Sequence, residues 1–221
     1  MSKPDIYLTF DDGPKVATSE VLDALRDQKV KATFFLCAVA LEAHGDLQYR
    51  ILKRMIGEGH SFGNHGYDHD PTTKAEYRKS SVDAVKKDFT VNEKKLKNLF
   101  MRHADGFLSF TVARLPGDGR TFKPYVDAIV TGLHLPHAAW DFEFAPNGIF
   151  GHVGHRDWQG VKGAAADHSG VPHGGDIVLL HDAHWKGKGT FLALLIAKLK
   201  ETHNILPLVP LPRGRRSIRY F

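Results

Sequence analysis

The stretch Ile6-Tyr7-Leu8-Thr9-Phe10-Asp11-Asp12-Gly13-Pro14 limits what this chain can fold into more than any other. Its alternating and β-branched apolar residues predict a buried strand. The strand stops on two adjacent carboxylates, and Gly13-Pro14 then turns the chain out of the sheet. Successive strand side chains point opposite ways, but a turn beginning at the second carboxylate relaxes that rule. Asp11 and Asp12 can therefore sit at one strand end and face different partners. Two neighbouring carboxylates are costly unless a cation or a shared proton holds them. Asp-Gly-Pro is also ordinary turn chemistry, and Asp12 could merely cap the next helix.

Downstream, apolar strands alternate with amphipathic helices. A helix follows Pro14, with Thr18 or Ser19 as N-cap and Val21, Leu22, Leu25 and Val30 on its apolar side. Further strands are predicted at 32–36, 60–64, 112–115, 138–142, 176–182 and 205–209. Helices are predicted at about 46–58, 74–100, 124–132 and 191–202. Between Glu143 and Gly175 eight glycines break the pattern, which reads as a long surface excursion. Seven β/α units imply right-handed crossovers and a largely parallel sheet, so the fold class is α/β, with a barrel or an open wound sheet as the architecture. The 221 residues fit one large domain, read as 1–221.

Composition excludes several classes. A formal charge of +5 is only mildly basic, and it lacks the dense Lys/Arg clustering of a nucleic-acid binder. The basic run 213–221 reads as a solvated tail. A single cysteine, Cys37, rules out an internal disulfide and reads as an inert core thiol. No apolar run reaches the roughly 20 residues that span a bilayer. Met1-Ser2-Lys3-Pro4 leads straight into the first strand, so no signal peptide is read. The compartment stays open: cytoplasmic as written, secreted or periplasmic if a leader precedes it. Nothing fixes the oligomeric state.

Asp11, Asp12, His65, Arg114, Asp141 and His181 are all predicted at C-terminal ends of strands, which converge on one face of a parallel β/α fold. His65 and His69 lie four apart in a turn, and with a strand-end carboxylate they would make a two-His, one-Asp face for a divalent metal. Such a site would lower the pKa of water from about 15.7 toward about 7 and leave a neighbouring carboxylate as general base. His152, His155, His168, His173 and His184 read as solvated loop residues rather than a second metal site, and the lysines at 86, 87, 94, 95 and 97 as a solvated helix face.

Thr9-Phe10-Asp11-Asp12-Gly13-Pro14 together with Asn64-His65-Gly66-Tyr67-Asp68-His69 resembles the NodB-homology polysaccharide deacetylases, carbohydrate esterase family 4. The resemblance implies a distorted (β/α)7-type barrel, an acetylated poly- or oligosaccharide as substrate, and a divalent metal. Zinc is the expected ion, with cobalt or nickel as substitutes. It also implies that Asp11 is the general base, that Asp12, His65 and His69 bind the metal, and that Arg114 pairs with the base. By the same resemblance Trp140-Asp141 is the fourth motif, Asp141 orients His181 as general acid, and Leu179 lines the pocket for the acetyl methyl. Gly117 stands where the family commonly has an aromatic residue. Its N–H could still donate to the oxyanion, but the aromatic wall of the sugar groove would be missing.

Three rival readings use the same residues. One is a metal-dependent hydrolase of a non-sugar amide or cyclic imide on this fold. Another is an Fe(II) oxygenase built on the two-His, one-carboxylate face, against which the β/α alternation weighs. The third is a non-catalytic glycan-binding module.

Overall fold

The computed structural model describes residues 2–42, 46–67, 81–103, 110–117, 122–144 and 171–208. Four predicted features therefore lie outside the described residues: His69, the first part of the helix expected from Lys74, most of the glycine-rich excursion, and the basic tail 213–221.

β1 (Asp5–Gly13) is the strand read from the opening stretch, and the sheet is arranged about it. It runs parallel to β2 (Thr33–Leu36), β5 (Ile177–His181) and β6 (Asn204–Leu206). β5 pairs with Tyr7–Asp11, a span that overlaps the partners of both β2 and β6. One edge of β1 thus belongs to β5, and the other is shared end to end by β6 and β2. β3 (Ser61–Asn64) adds to β2 and β4 (Phe142–Glu143) to β5, again in parallel. Beyond β3, Asn64 bridges to Ala113 and Ala113 to His137. The stretch from His137 to Glu143 meets Ala113 at its start and β5 at its end, so the wall closes as a distorted barrel. The expected α/β barrel is the fold observed.

Alternation along β1 sorts its side chains. Ile6, Leu8 and Phe10 are 0–1% exposed and join Phe34, Leu36, Val178 and Leu180 in the layer beneath the helices. That layer is roofed by α1 (Thr18–Asp27), α3 (Asp46–Gly57) and α6 (Gly189–Thr202), which contribute Val21, Leu22 and Leu25, then Ile51, Leu52 and Met55, then Leu192, Ile196 and Leu199. Each fully buried side chain of this size contributes about 1.5–3 kcal/mol. A short helix α2 (Ala38–Glu42), unannounced in the sequence, follows Cys37. The long helix α4 (Val82–His103) packs against α5 (Lys123–Val130) through Val85, Phe89, Tyr125, Val126 and Ile129. The opposite face of β1, with Tyr7, Thr9 and Asp11, looks into the barrel, beside Phe35, Val112, Ala138 and Ile177.

Three details differ from expectation, the first being that the strand expected over 112–115 is reduced to the isolated bridges of Ala113. Thr18 does not cap α1: its hydroxyl accepts from the Lys15 amide and donates to the buried Asp182 carboxylate. The strand expected over 138–142 begins later, at Phe142, because pairing with β5 rather than local pattern sets its start.

Candidate active site

Asp11 and Asp12, at the end of β1, reach the same place. The register shifts between Asp11 and Gly13, which makes Asp12 a β-bulge, and its φ of 71° lies in the left-handed region. Aspartate tolerates that region better than most residues, and a bulge re-aims the side chain it carries. Strand alternation therefore does not separate the pair. His65, just past β3, places Nε2 3.4 Å from Asp11 Oδ2 and 3.5 Å from Asp12 Oδ1.

The other ring nitrogen decides the tautomer. His65 Nδ1 lies 2.8 Å from the Arg114 carbonyl oxygen. A carbonyl can only accept, so Nδ1 carries the hydrogen and the Nε2 lone pair faces the two carboxylates. Backbone carbonyls fix metal-binding histidines in this way. Burial pushes the His65 pKa down, but Asp11 and Asp12 more than offset it and the net direction is up. A pocket that favours an imidazolium against full burial is one that favours a cation. Lys15 Nζ, 3.6 Å from Asp12 Oδ2, responds to the same negative charge.

Arg114 lies wholly inside the barrel. Its Nη1 donates to Asp11 Oδ1 at 2.8 Å and Thr9 Oγ1 at 2.9 Å, Nε to the Ala138 carbonyl at 2.9 Å, and Nη2 to the Ala139 carbonyl at 3.3 Å. The guanidinium lies 4.0 Å from the Phe35 ring centroid and 5.6 Å from that of Trp140. Asp11 is thus held from below by a charge that cannot move. Trp140 stands behind that arginine, and Leu179, two residues before His181 on the same strand face, is buried beside Thr9.

His181 is the register partner of Asp11 on the neighbouring strand, so both side chains face the barrel mouth. Its Nδ1 is buried and has no hydrogen-bond partner among the described residues. The expected partner is elsewhere, and this corrects the reading of Asp141. Asp141 precedes β4, and its carboxylate accepts from the Ile177 amide at 2.9 Å. Ile177 opens β5 and His181 closes it, about 13 Å apart at 3.3 Å per residue. Asp141 is a strand-start residue that anchors the barrel wall and does not touch His181. Gly117 ends the described stretch 110–117 with φ 47°, a conformation that a side chain strains.

Several contributors carried no sequence signal beyond strand period. Thr9 lies two residues before Asp11, on the same strand face, and relays Arg114 to the Val178 carbonyl. His137 accepts from the Leu115 amide and pins the segment that carries Arg114. Asp182 is fully buried, and burial pushes its carboxyl up to about 7. His184, expected to be a bland loop residue, has its ring 5.0 Å from that of His181. Cys37 is buried as expected, and burial raises its thiol well above the usual range.

A family model described as polysaccharide deacetylase matches residues 1–111, just over half of the chain. The chain belongs to the polysaccharide deacetylase family. Over 85 residues this deacetylase-family chain is 41% identical to the peptidoglycan-N-acetylglucosamine deacetylase of Bacillus cereus, a match covering 37% of the chain and 30% of that protein. It spans about a third of the length of the curated relatives it matches. A CE4 esterase from Streptococcus mutans shares the fold at a TM-score of 0.69 and 21% identity, over 93% of this chain and 86% of that one. So does a family 4 acetyl xylan esterase from Clostridium thermocellum in complex with a cobalt ion, at a TM-score of 0.61 and 24% identity, over 92% and 88%.

The donor set at the barrel mouth fits a divalent cation in kind: a histidine with a fixed tautomer and two carboxylates on the side of its free lone pair. Among the described residues no group of three or more His, Cys, Asp or Glu surrounds a common point closely enough to hold an ion. Asp12 and His65 meet; His69 lies outside the described residues.

Proposed function

We propose that this chain is a hydrolase that removes acetyl groups from an N- or O-acetylated poly- or oligosaccharide, with a divalent metal, zinc foremost, held by Asp12, His65 and His69. The observation that carries this reading is the meeting of Asp11, Asp12 and His65 Nε2 within 3.5 Å, above a buried arginine. Family membership supports the reaction class, and the cobalt-bound relative supports the kind of ion. When bound, the ion supplies Lewis-acid polarisation of the acetyl carbonyl and acidifies the attacking water.

The chain's own groups do the rest. Asp11, free to accept on Oδ2 while Arg114 fixes Oδ1, takes the proton from the attacking water. His181, at the same level on the adjacent strand, returns a proton to the departing amine or alcohol. The Gly117 amide is the candidate donor to the oxyanion, and Leu179 and Trp140 line the floor below. Asp141 takes no part in this chemistry.

The test is acetate release from a panel of chitooligosaccharides, peptidoglycan and acetylated xylan, before and after chelation and with zinc or cobalt restored. Release that chelation abolishes, metal restores and Asp11→Asn removes is the expected result. Release that survives both chelation and Asp11→Asn refutes the assigned roles, and the absence of release from every substrate refutes the activity.

A further inference from the structure

The apolar stripe of α4 runs Val85, Phe89, Leu96, Phe100, all buried, and at its centre, where helical spacing calls for another apolar residue, stands Asn92, 0% exposed. Its amide is engaged on both sides. Oδ1 accepts from the Ala38 amide at 2.7 Å, and Nδ2 donates to the Leu36 carbonyl at 2.8 Å and to Asn64 Oδ1 at 2.7 Å. The Leu36 carbonyl also accepts from the His65 amide at 3.1 Å. Asn64, equally buried, accepts from the Gly66 amide at 3.0 Å and donates to the Phe89 carbonyl at 3.0 Å. Asp88, one turn earlier on α4, accepts from the Tyr67 amide at 3.0 Å. Flipping either asparagine would set donor against donor, so the orientation of both amides is determined.

We propose that Asn92 is a positioning residue that sets the place of the turn beginning at His65, through Asn64 and the Leu36 carbonyl. The inference rests on the reading of Asp12, His65 and His69 as metal ligands given under Proposed function. Replacing this amide alone by leucine would orphan the buried Ala38 N–H, so stability and the position of the turn have to be read separately. What the amide adds is geometry: α4 grips residues 64 and 67 directly and residue 66 through Asn64 Oδ1, on both sides of His65.

The test compares Asn92→Asp and Asn92→Leu with the unaltered chain, reading zinc affinity by chelator competition and the visible absorption of bound cobalt, beside unfolding by urea. Asn92→Asp keeps the shape, loses both donors and brings a negative charge toward the cation. Charge alone would tighten zinc binding. The proposal expects the opposite, a loss of about 10- to 100-fold with an altered cobalt spectrum. Loss below about tenfold in a folded Asn92→Asp chain overturns it while leaving the metal reading intact. If the unaltered chain binds neither ion, the metal reading falls and this one with it. Should both variants fail to fold, hydrogen exchange on the metal-free unaltered chain decides: the Gly66 and Tyr67 amides should be protected as strongly as the middle of α4, and free exchange there overturns the proposal.

Discussion

Removing the guanidinium of Arg114 should expose how the site is supported. Arg114→Met keeps an unbranched aliphatic stem but deletes the guanidinium stacked on Phe35 and its four donated hydrogen bonds, one of them to a carboxylate that is itself 2% exposed. Breaking a buried pair from one side leaves an uncompensated charge, which costs about 3–5 kcal/mol. Asp11→Asn should cost less, because the Nη1–H still finds an amide oxygen; a single hydrogen bond to a charged group is worth about 1.5–3 kcal/mol. Combining the two removes both charges, so the double variant should fall short of the sum by about 1–3 kcal/mol. The measurement is urea unfolding at pH 7 in excess chelator, so that no ion compensates Asp11, with stability taken from the midpoint and slope. A single-variant loss under about 1 kcal/mol, or a cycle additive to within about 0.5 kcal/mol, would refute the buried-pair reasoning.

Three further outcomes follow from other parts of the barrel. His60 is buried, accepts from the Ala32 amide at Nδ1, and has its pKa pushed down from 6.5 to about 4 by burial first and Lys31 second. The unfolded chain therefore binds the extra proton between those values, and stability should fall as pH drops through that window. The loss is about 3 kcal/mol once below pH 4 (2.5 units at about 1.36 kcal/mol each), and His60→Asn should flatten it in urea midpoints taken from pH 7 to 4. Gly63→Ala drives a methyl into the Phe35 ring inside the barrel and should cost about 1–3 kcal/mol, read as a lower melting temperature; an unchanged melt contradicts that packing. Asp141→Asn should lower stability by about 1–2 kcal/mol through its bond to the Ile177 amide and leave kcat for acetate release within a few-fold; a hundredfold fall in kcat at unchanged stability would restore its expected role beside His181.

The strands were legible because period-two patterning needs no partner to be seen: Ile6, Leu8 and Phe10 face the helices as their spacing demands. The convergence of Asp11, Asp12, His65 and Arg114 was legible because parallel strands end on one face. Asp141 was misread for a reason local pattern cannot supply. Its position at the start rather than the end of a strand depends on how β4 meets β5, a pairing across more than thirty residues, and a shift of a few positions carries a residue from the mouth of the barrel to its wall. Asn92 was hidden among lysines on a long amphipathic helix, where an asparagine looks like one more solvated residue. Only the packing of α4 against β2 and β3 gives it partners. Asp12 was read as able to face the site, and the bulge supplies the mechanism.

The pairing of β1 on both edges also shapes how the chain must come together. β2 can join β1 as soon as α1 is made, but the second edge waits for β5, and the lower half of the first edge waits for β6. During synthesis the central strand of the sheet thus carries an open ladder until the chain from Gly13 to Ile177 has emerged. Open edges of that kind recruit foreign strands, and closure over such sequence separation is slow. A circular permutant that places β5 and β6 directly before β1 should fold faster and aggregate less at the ribosome while keeping the same barrel.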